Sequence, residues 1–132
     1  MKGAYILIIH VGANITIDIG ALGPIEFKRG FYAYVGSAMG ERGSSTLENR
    51  VLRHLLPSNV KKIHWHVDYL LAHEKTLIIR IYLIPSSEKL ECMLAREIKK
   101  KSDFIIKKFG SSDCSCESHL FHFKTLDSLF KK

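Results

Sequence analysis

Apolar and polar positions change rhythm several times along the chain, and each change marks an element. Residues 3–11 form an almost unbroken apolar, β-branched run, which predicts a strand. Gly12, Ala13 and Asn14 are turn-like, and residues 15–19 alternate strictly, the period of a half-buried strand. A loop at 20–24 leads to a short strand at 25–28. Arg29 and Gly30 then turn the chain into an aromatic and apolar strand at 31–35. The first third therefore predicts an antiparallel meander with close turns.

The period then lengthens. Ser45, Thr46, Leu47 and Glu48 have the form of a capping box, and Leu47, Val51 and Leu55 recur at helical spacing until Pro57 stops the helix. Residues 61–68 fit no single period, and 69–72 read as helical. Residues 76–84 are a strong strand ending at Pro85. Ser87 is the expected cap of a further helix running to about Lys100, with Leu90, Leu94 and Ile98 on its core face. From 104 onward, short apolar runs surround a polar loop at 110–118. There is no internal repeat and no low-complexity linker.

These elements suit one domain over 1–132 with one core. The expected fold is α/β: a small, mainly antiparallel sheet flanked by helices and widened by the hairpin at 15–28. The apolar fraction of 46% fits a globular chain rather than a disordered one. The longest apolar runs are far too short for a bilayer, and the first residues lack a charged-then-apolar leader. The expected setting is the cytoplasm, without membrane contact. The net charge is +7, from 20 Lys and Arg against 13 Asp and Glu, which favours polyanionic partners. An odd number of cysteines, 3, argues against a disulfide framework.

Three strings add chemistry. The first strand opens Gly3-Ala4-Tyr5. The later strand carries Tyr34-Val35-Gly36-Ser37-Ala38, and the following helix holds Arg50-Val51-Leu52-Arg53-His54. In this order they resemble the GIY-YIG nuclease core. Glu91-Cys92-Met93-Leu94-Ala95 stands where that superfamily keeps a metal-binding glutamate. The strings His64-Trp65-His66-Val67-Asp68-Tyr69-Leu70-Leu71 and Phe109-Gly110-Ser111-Ser112-Asp113-Cys114-Ser115-Cys116-Glu117-Ser118-His119-Leu120 resemble the Uri-type branch, which includes short stand-alone chains. The likeness runs from Gly3 to about Phe123. Ala4 replaces the isoleucine of the name motif, the hairpin at 15–28 separates the two tyrosines, and residues 39–44 lengthen the approach to the helix.

The resemblance implies a metal-dependent endonuclease hydrolysing DNA phosphodiesters, by nicking or structure-directed cutting, with one Mg²⁺ or Mn²⁺. That chemistry needs an activated water, a neutralised phosphate and a stabilised leaving oxygen. Glu91 is a hard oxygen ligand suited to Mg²⁺, at the margin of the apolar stripe, and Glu97 is its rival at a similar angle. Arg50 offers a permanently charged fork for phosphate, and His54, one turn on, is suited to orienting or relaying a proton. By resemblance Tyr5 and Tyr34 face the same cleft, where one of them helps activate water. A phenol titrates near pH ~10, so phenolate chemistry needs neighbouring cations. Lys2, Arg53, Lys61 and Lys62 are the expected contacts to the DNA backbone. Taken singly, each residue has a plainer reading: the tyrosines as cross-strand packing, the arginines and Glu91 as a solvated helix face.

Two further clusters stay open. Cys114, Cys116 and His119, with Cys92 as a fourth, have the donors of a structural zinc site, but Cys-x-Cys is tighter than the usual knuckle, which weighs against zinc. A buried cysteine pair, or a disulfide from Cys92 to Cys114 or Cys116, fits as well. Asp113 and His119 are also candidates for the border of the nuclease cleft. His64, His66 and Asp68, if extended, share one face as a metal or phosphate patch. The plainer reading packs Trp65 and Val67 inward and leaves the polar residues to solvent. Besides the nuclease, the sequence allows a DNA-binding module that does not cut, or an accessory domain of a repair enzyme. No appended helix-turn-helix or zinc finger is visible.

Overall fold

The computed structural model describes residues 1–57, 63, 65–111 and 116–130. Two nine-residue strands form its centre: β1 (Gly3–Val11) and β4 (Gly30–Ala38), paired antiparallel with Tyr5 opposite Gly36. β5 (Thr76–Pro85) flanks β1, with a register shift between Ile8 and Ile9. β7 (Leu120–Phe123) flanks β4, and β6 (Phe104–Ile105) flanks β7, giving the order β5-β1-β4-β7-β6, antiparallel throughout.

The sheet is buried on both faces, which explains why β1 is continuously apolar instead of alternating. Tyr5, Leu7, Ile9, Tyr32 and Tyr34 point to one core, shared with Leu47, Val51, Val67, Leu70 and Phe109. Ile8, Ala33, Val35, Phe121 and Phe123 point to the other, shared with Ala95 and Ile98. The first core packs α1 (Leu47–Leu55) and α2 (His66–Leu71) on the sheet; the second packs α3 (Glu91–Lys101), with α4 (Leu126–Phe130) beside it. No helix of the described residues is long and apolar enough to cross a membrane.

The hairpin is present as β2 (Ile15–Asp18) and β3 (Pro24–Phe27), but it forms a sheet of its own. The expected meander is thus corrected: β1 pairs directly with β4, and the hairpin does not widen the main sheet. Its apolar side, Ile15, Ile17, Ile25 and Phe27, closes over the first core instead.

Helix starts also differ from expectation. Ser45 ends a 3-10 turn (Gly43–Ser45) and donates to the Arg42 carbonyl. Thr46 is the cap of α1, accepting from the Asn49 amide, while Glu48 pairs with the N-terminal amine 3.1 Å away. On that helix the buried positions are Leu47, Val51 and His54; Leu55 is 50% exposed. α3 begins at Glu91 and not at Ser87, and Ala95 and Ile98 form its buried face, with Leu94 only partly covered. An acidic residue in the first turn and Lys99, Lys100 and Lys101 in the last both suit the helix dipole.

Candidate active site

The cleft lies where β1 begins and β4 ends, because an antiparallel pair brings those two stretches to one end of the sheet. Tyr5, Tyr34, Gly36, Ser37, Arg50 and Glu91 line it, together with Met39, Trp65, Lys89, Gly110 and His119. Its volume of about 240 Å³ suits an ion with its waters and one phosphate, not an enclosed organic ligand.

Gly36 makes the floor. It faces Tyr5 across the β1–β4 ladder, and a Cβ there would overlap the Tyr5 ring. The ring therefore lies flat over the strand, 6.4 Å from that of Tyr34. Gly110, with φ of 70°, lets the chain pass close to Tyr34 and His119. Its amide donates to His66 Nδ1 at 2.9 Å.

A polar chain runs back from Tyr5 into the first core. The Tyr5 hydroxyl is 2.7 Å from His54 Nε2. His54 Nδ1 stands 3.8 Å from Asp68 Oδ1. Asp68 is fully buried, accepts from the Trp65 amide at the start of α2, and is gripped by both terminal nitrogens of Arg53 at 3.1 Å. The guanidinium groups of Arg50 and Arg53 lie 4.8 and 4.6 Å from the Trp65 ring centre. Such cation–π contact with the indole steadies both guanidinium groups without removing their charge. Arg50 also donates to the Ser37 carbonyl at 3.0 Å, and its Nε is buried without a hydrogen-bond partner among the described residues. Among those residues no carboxylate pairs with Arg50.

Burial pushes the Tyr5 phenol well above its ordinary range, aided by Tyr34, Asp68 and Glu91; Arg50 alone opposes. The surroundings of Tyr5 thus favour the neutral phenol, hydrogen-bonded to His54, over a free phenolate. Glu91 opens α3 with its side chain 16% exposed, and its nearest partner is His119 Nδ1 at 3.9 Å. One accessible carboxylate beside a polar cleft fits a Mg²⁺-type ion, which keeps most of its waters. Glu97 pairs with Lys100 on the outer face of α3, which removes it as a rival.

Of the residues selected in the sequence, Tyr5, Tyr34, Arg50, Glu91 and His119 meet in the cleft. His54 is buried behind Tyr5 instead of lining it. Arg53 is engaged by Asp68 and Trp65, and Lys2 by Glu41 at 3.2 Å in an exposed ion pair; neither lines the cleft. The period-two patch through His66 and Asp68 is corrected, because α2 starts at His66 and turns Asp68 into the core. Cys116 lies next to Cys92, their sulfurs joined as a disulfide. Lys61, Lys62, His64, Asp113 and Cys114 lie outside the described residues. Lys89 and Trp65 are cleft residues that the sequence reading missed; Lys89 stands two positions before Glu91, which was the available signal.

Neither a curated protein nor a solved structure matches the chain. A family model described as "Domain of unknown function DUF123" matches residues 4–132, nearly the whole length, and the chain belongs to that family.

Proposed function

We propose that this domain is a metal-dependent endonuclease of the GIY-YIG type, close to its Uri-type branch, cutting DNA phosphodiester bonds by nicking or structure-directed cleavage. The observation that carries the reading is the convergence of Tyr5, Tyr34, Arg50 and Glu91, far apart in sequence, on one polar cleft. Arg50 supports it further: a guanidinium held against the Trp65 ring, with no carboxylate partner among the described residues, is suited to a phosphate oxygen.

In this reading Glu91 holds one Mg²⁺ or Mn²⁺, which when bound offsets phosphate charge and lowers the pKa of water. Arg50 binds a non-bridging oxygen and steadies the charge that builds there. Tyr5 takes a proton from the attacking water as its own hydroxyl proton passes to His54 Nε2. The resulting imidazolium faces Asp68, so the charge stays compensated in the buried chain. A Tyr5 that is neutral at rest suits this relay, since the phenol never has to exist as an isolated phenolate. Tyr34 and Lys89 orient the phosphate at the floor and rim.

The test is cleavage of supercoiled plasmid and of branched DNA by the purified chain with Mg²⁺ or Mn²⁺. We expect nicked or cut products that disappear with chelator and with Glu91→Ala, while Glu91→Ala still binds the same DNA. Binding without cleavage by the unaltered chain, across several substrates and both metals, would overturn the nuclease reading and leave a DNA-binding module.

A further inference from the structure

Beside the cleft, and sharing His119 with it, a second group of donors meets. Cys92 follows Glu91 in the first turn of α3, while Cys116 and His119 lie in the segment that leads into β7. One ligand atom from each of Cys92, Cys116 and His119 lies within 4.8 Å of the others. His119 is 2% exposed, and both cysteines are partly buried.

We propose that in the reduced protein Cys92, Cys116 and His119 bind one zinc ion, at a site that adjoins the Glu91 cleft and shares His119 with its wall. The inference does not rest on the nuclease reading. The two sulfurs are joined by a third donor, the buried His119 imidazole, inside the same radius. Tetrahedral zinc with bonds of roughly 2.3 Å to sulfur and 2.0–2.1 Å to nitrogen sets its ligand atoms roughly 3.5–3.8 Å apart. Reaching that arrangement needs the sulfurs to part and the imidazole to close by about an ångström. Two thiolates and one imidazole form a soft donor set that selects zinc over Mg²⁺, with a fourth position left for water or another side chain.

The backbone already fixes the imidazole. The His119 amide donates to the Phe109 carbonyl at 2.9 Å, and its carbonyl accepts from the Val35 amide at 2.9 Å. The Glu91 carboxylate stands 3.9 Å from Nδ1, and carboxylates beside a ligating histidine commonly orient it. Zinc would thus pin the segment before β7 to the first turn of α3, next to Glu91. The disulfide and the metal are alternative uses of the same two sulfurs, so only the dithiol state takes the ion.

The experiment uses the full chain, tag-free, kept reduced and free of oxygen. We expect about one zinc per chain by elemental analysis. Cobalt in its place should give the visible bands of a tetrahedral site together with a thiolate charge-transfer band. Cys92→Ser and Cys116→Ser should each weaken cobalt binding by at least about 100-fold, since losing even a supporting group costs 10–100-fold. Glu91→Gln, which alters a neighbour of His119 but none of the three ligands, should keep the tetrahedral spectrum and weaken cobalt binding less than either serine substitution. In the unaltered chain, zinc should protect Cys92 and Cys116 from alkylation, mapped by peptide, a readout that does not depend on a variant folding. No tetrahedral cobalt spectrum in the fully reduced chain, a spectrum that survives both serine substitutions, or equal alkylation with and without zinc would overturn the proposal.

Discussion

Asp68 organises the site although it never reaches the cleft. Its carboxylate takes the fork of Arg53 and the amide of Trp65, and it faces the ring of His54. Two side chains that line the cleft, Arg50 through Trp65 and Tyr5 through His54, are therefore held by one buried anion. Removing one partner of such a pair strands the other, and the loss is commonly about 3–5 kcal/mol. Arg53 keeps some access to water, so Asp68→Ala should fall toward the lower end of about 3–5 kcal/mol. The measurement is urea unfolding followed by circular dichroism, where the midpoint should drop with little change in slope. A loss below about 1 kcal/mol, the value of an exposed ion pair, would mean that Asp68 is not the organising charge.

The element that most directly joins the two halves of the site is α2. Its first residue, His66, accepts the Gly110 amide through Nδ1, tying the loop beside Tyr34 to the helix that carries Asp68. Burial holds the His66 imidazole below its ordinary range. The folded-state value is the lower one, so the stability contributed by neutral His66 is complete above the unfolded value near ~6.5 and is lost as pH falls from there through the folded value. Between pH ~7 and ~5 the chain should lose more stability than His66→Gln, whose amide accepts the same hydrogen bond without titrating. Equal pH slopes for the two proteins in urea unfolding would reject this assignment. Such a tie was not legible beforehand. The strings around Trp65 and Gly110 could be singled out, but nothing local joins residues 44 positions apart. β1 and β4 were legible, because strands buried on both faces must be apolar throughout. Their direct pairing was not, because the hairpin between them looks like a continuation of the same sheet until its own partners are known. The faces of α1 and α3 were half legible. Leu47 and Val51 follow the apolar stripe, but His54 takes a core position that Leu55 seemed to own, and only its partners Tyr5 and Asp68 explain why.

At the scale of the whole molecule, a sheet covered on both faces leaves its ends for chemistry. The cleft sits at one end of the central strands, where the first core holds Tyr5 and Tyr34 almost fully buried and the start of α3 brings Glu91 beside them. A cleft of this size can take one phosphate of a strand, and the rest of a polymer must lie across the surface around it. The surplus of 20 basic over 13 acidic residues then becomes a statement about binding, because each phosphate contact releases a counterion. Two cations sit at the cleft itself, Arg50 in its wall and Lys89 at its rim. Among the described residues neither is paired with a carboxylate, in contrast to Lys2 and Arg53. If the cleft is where the strand lies, Lys89→Ala should weaken DNA binding to a similar degree across sequences. It should also flatten the plot of log affinity against log salt by about 1. Lys2→Ala, at a residue that does not line the cleft, should change that slope less than Lys89→Ala does. The comparison needs fluorescence anisotropy with a short duplex at several salt concentrations, without divalent metal so that cleavage cannot intervene. An unchanged slope for Lys89→Ala would put the DNA path elsewhere on the basic surface, and the cleft would lose its claim on the substrate.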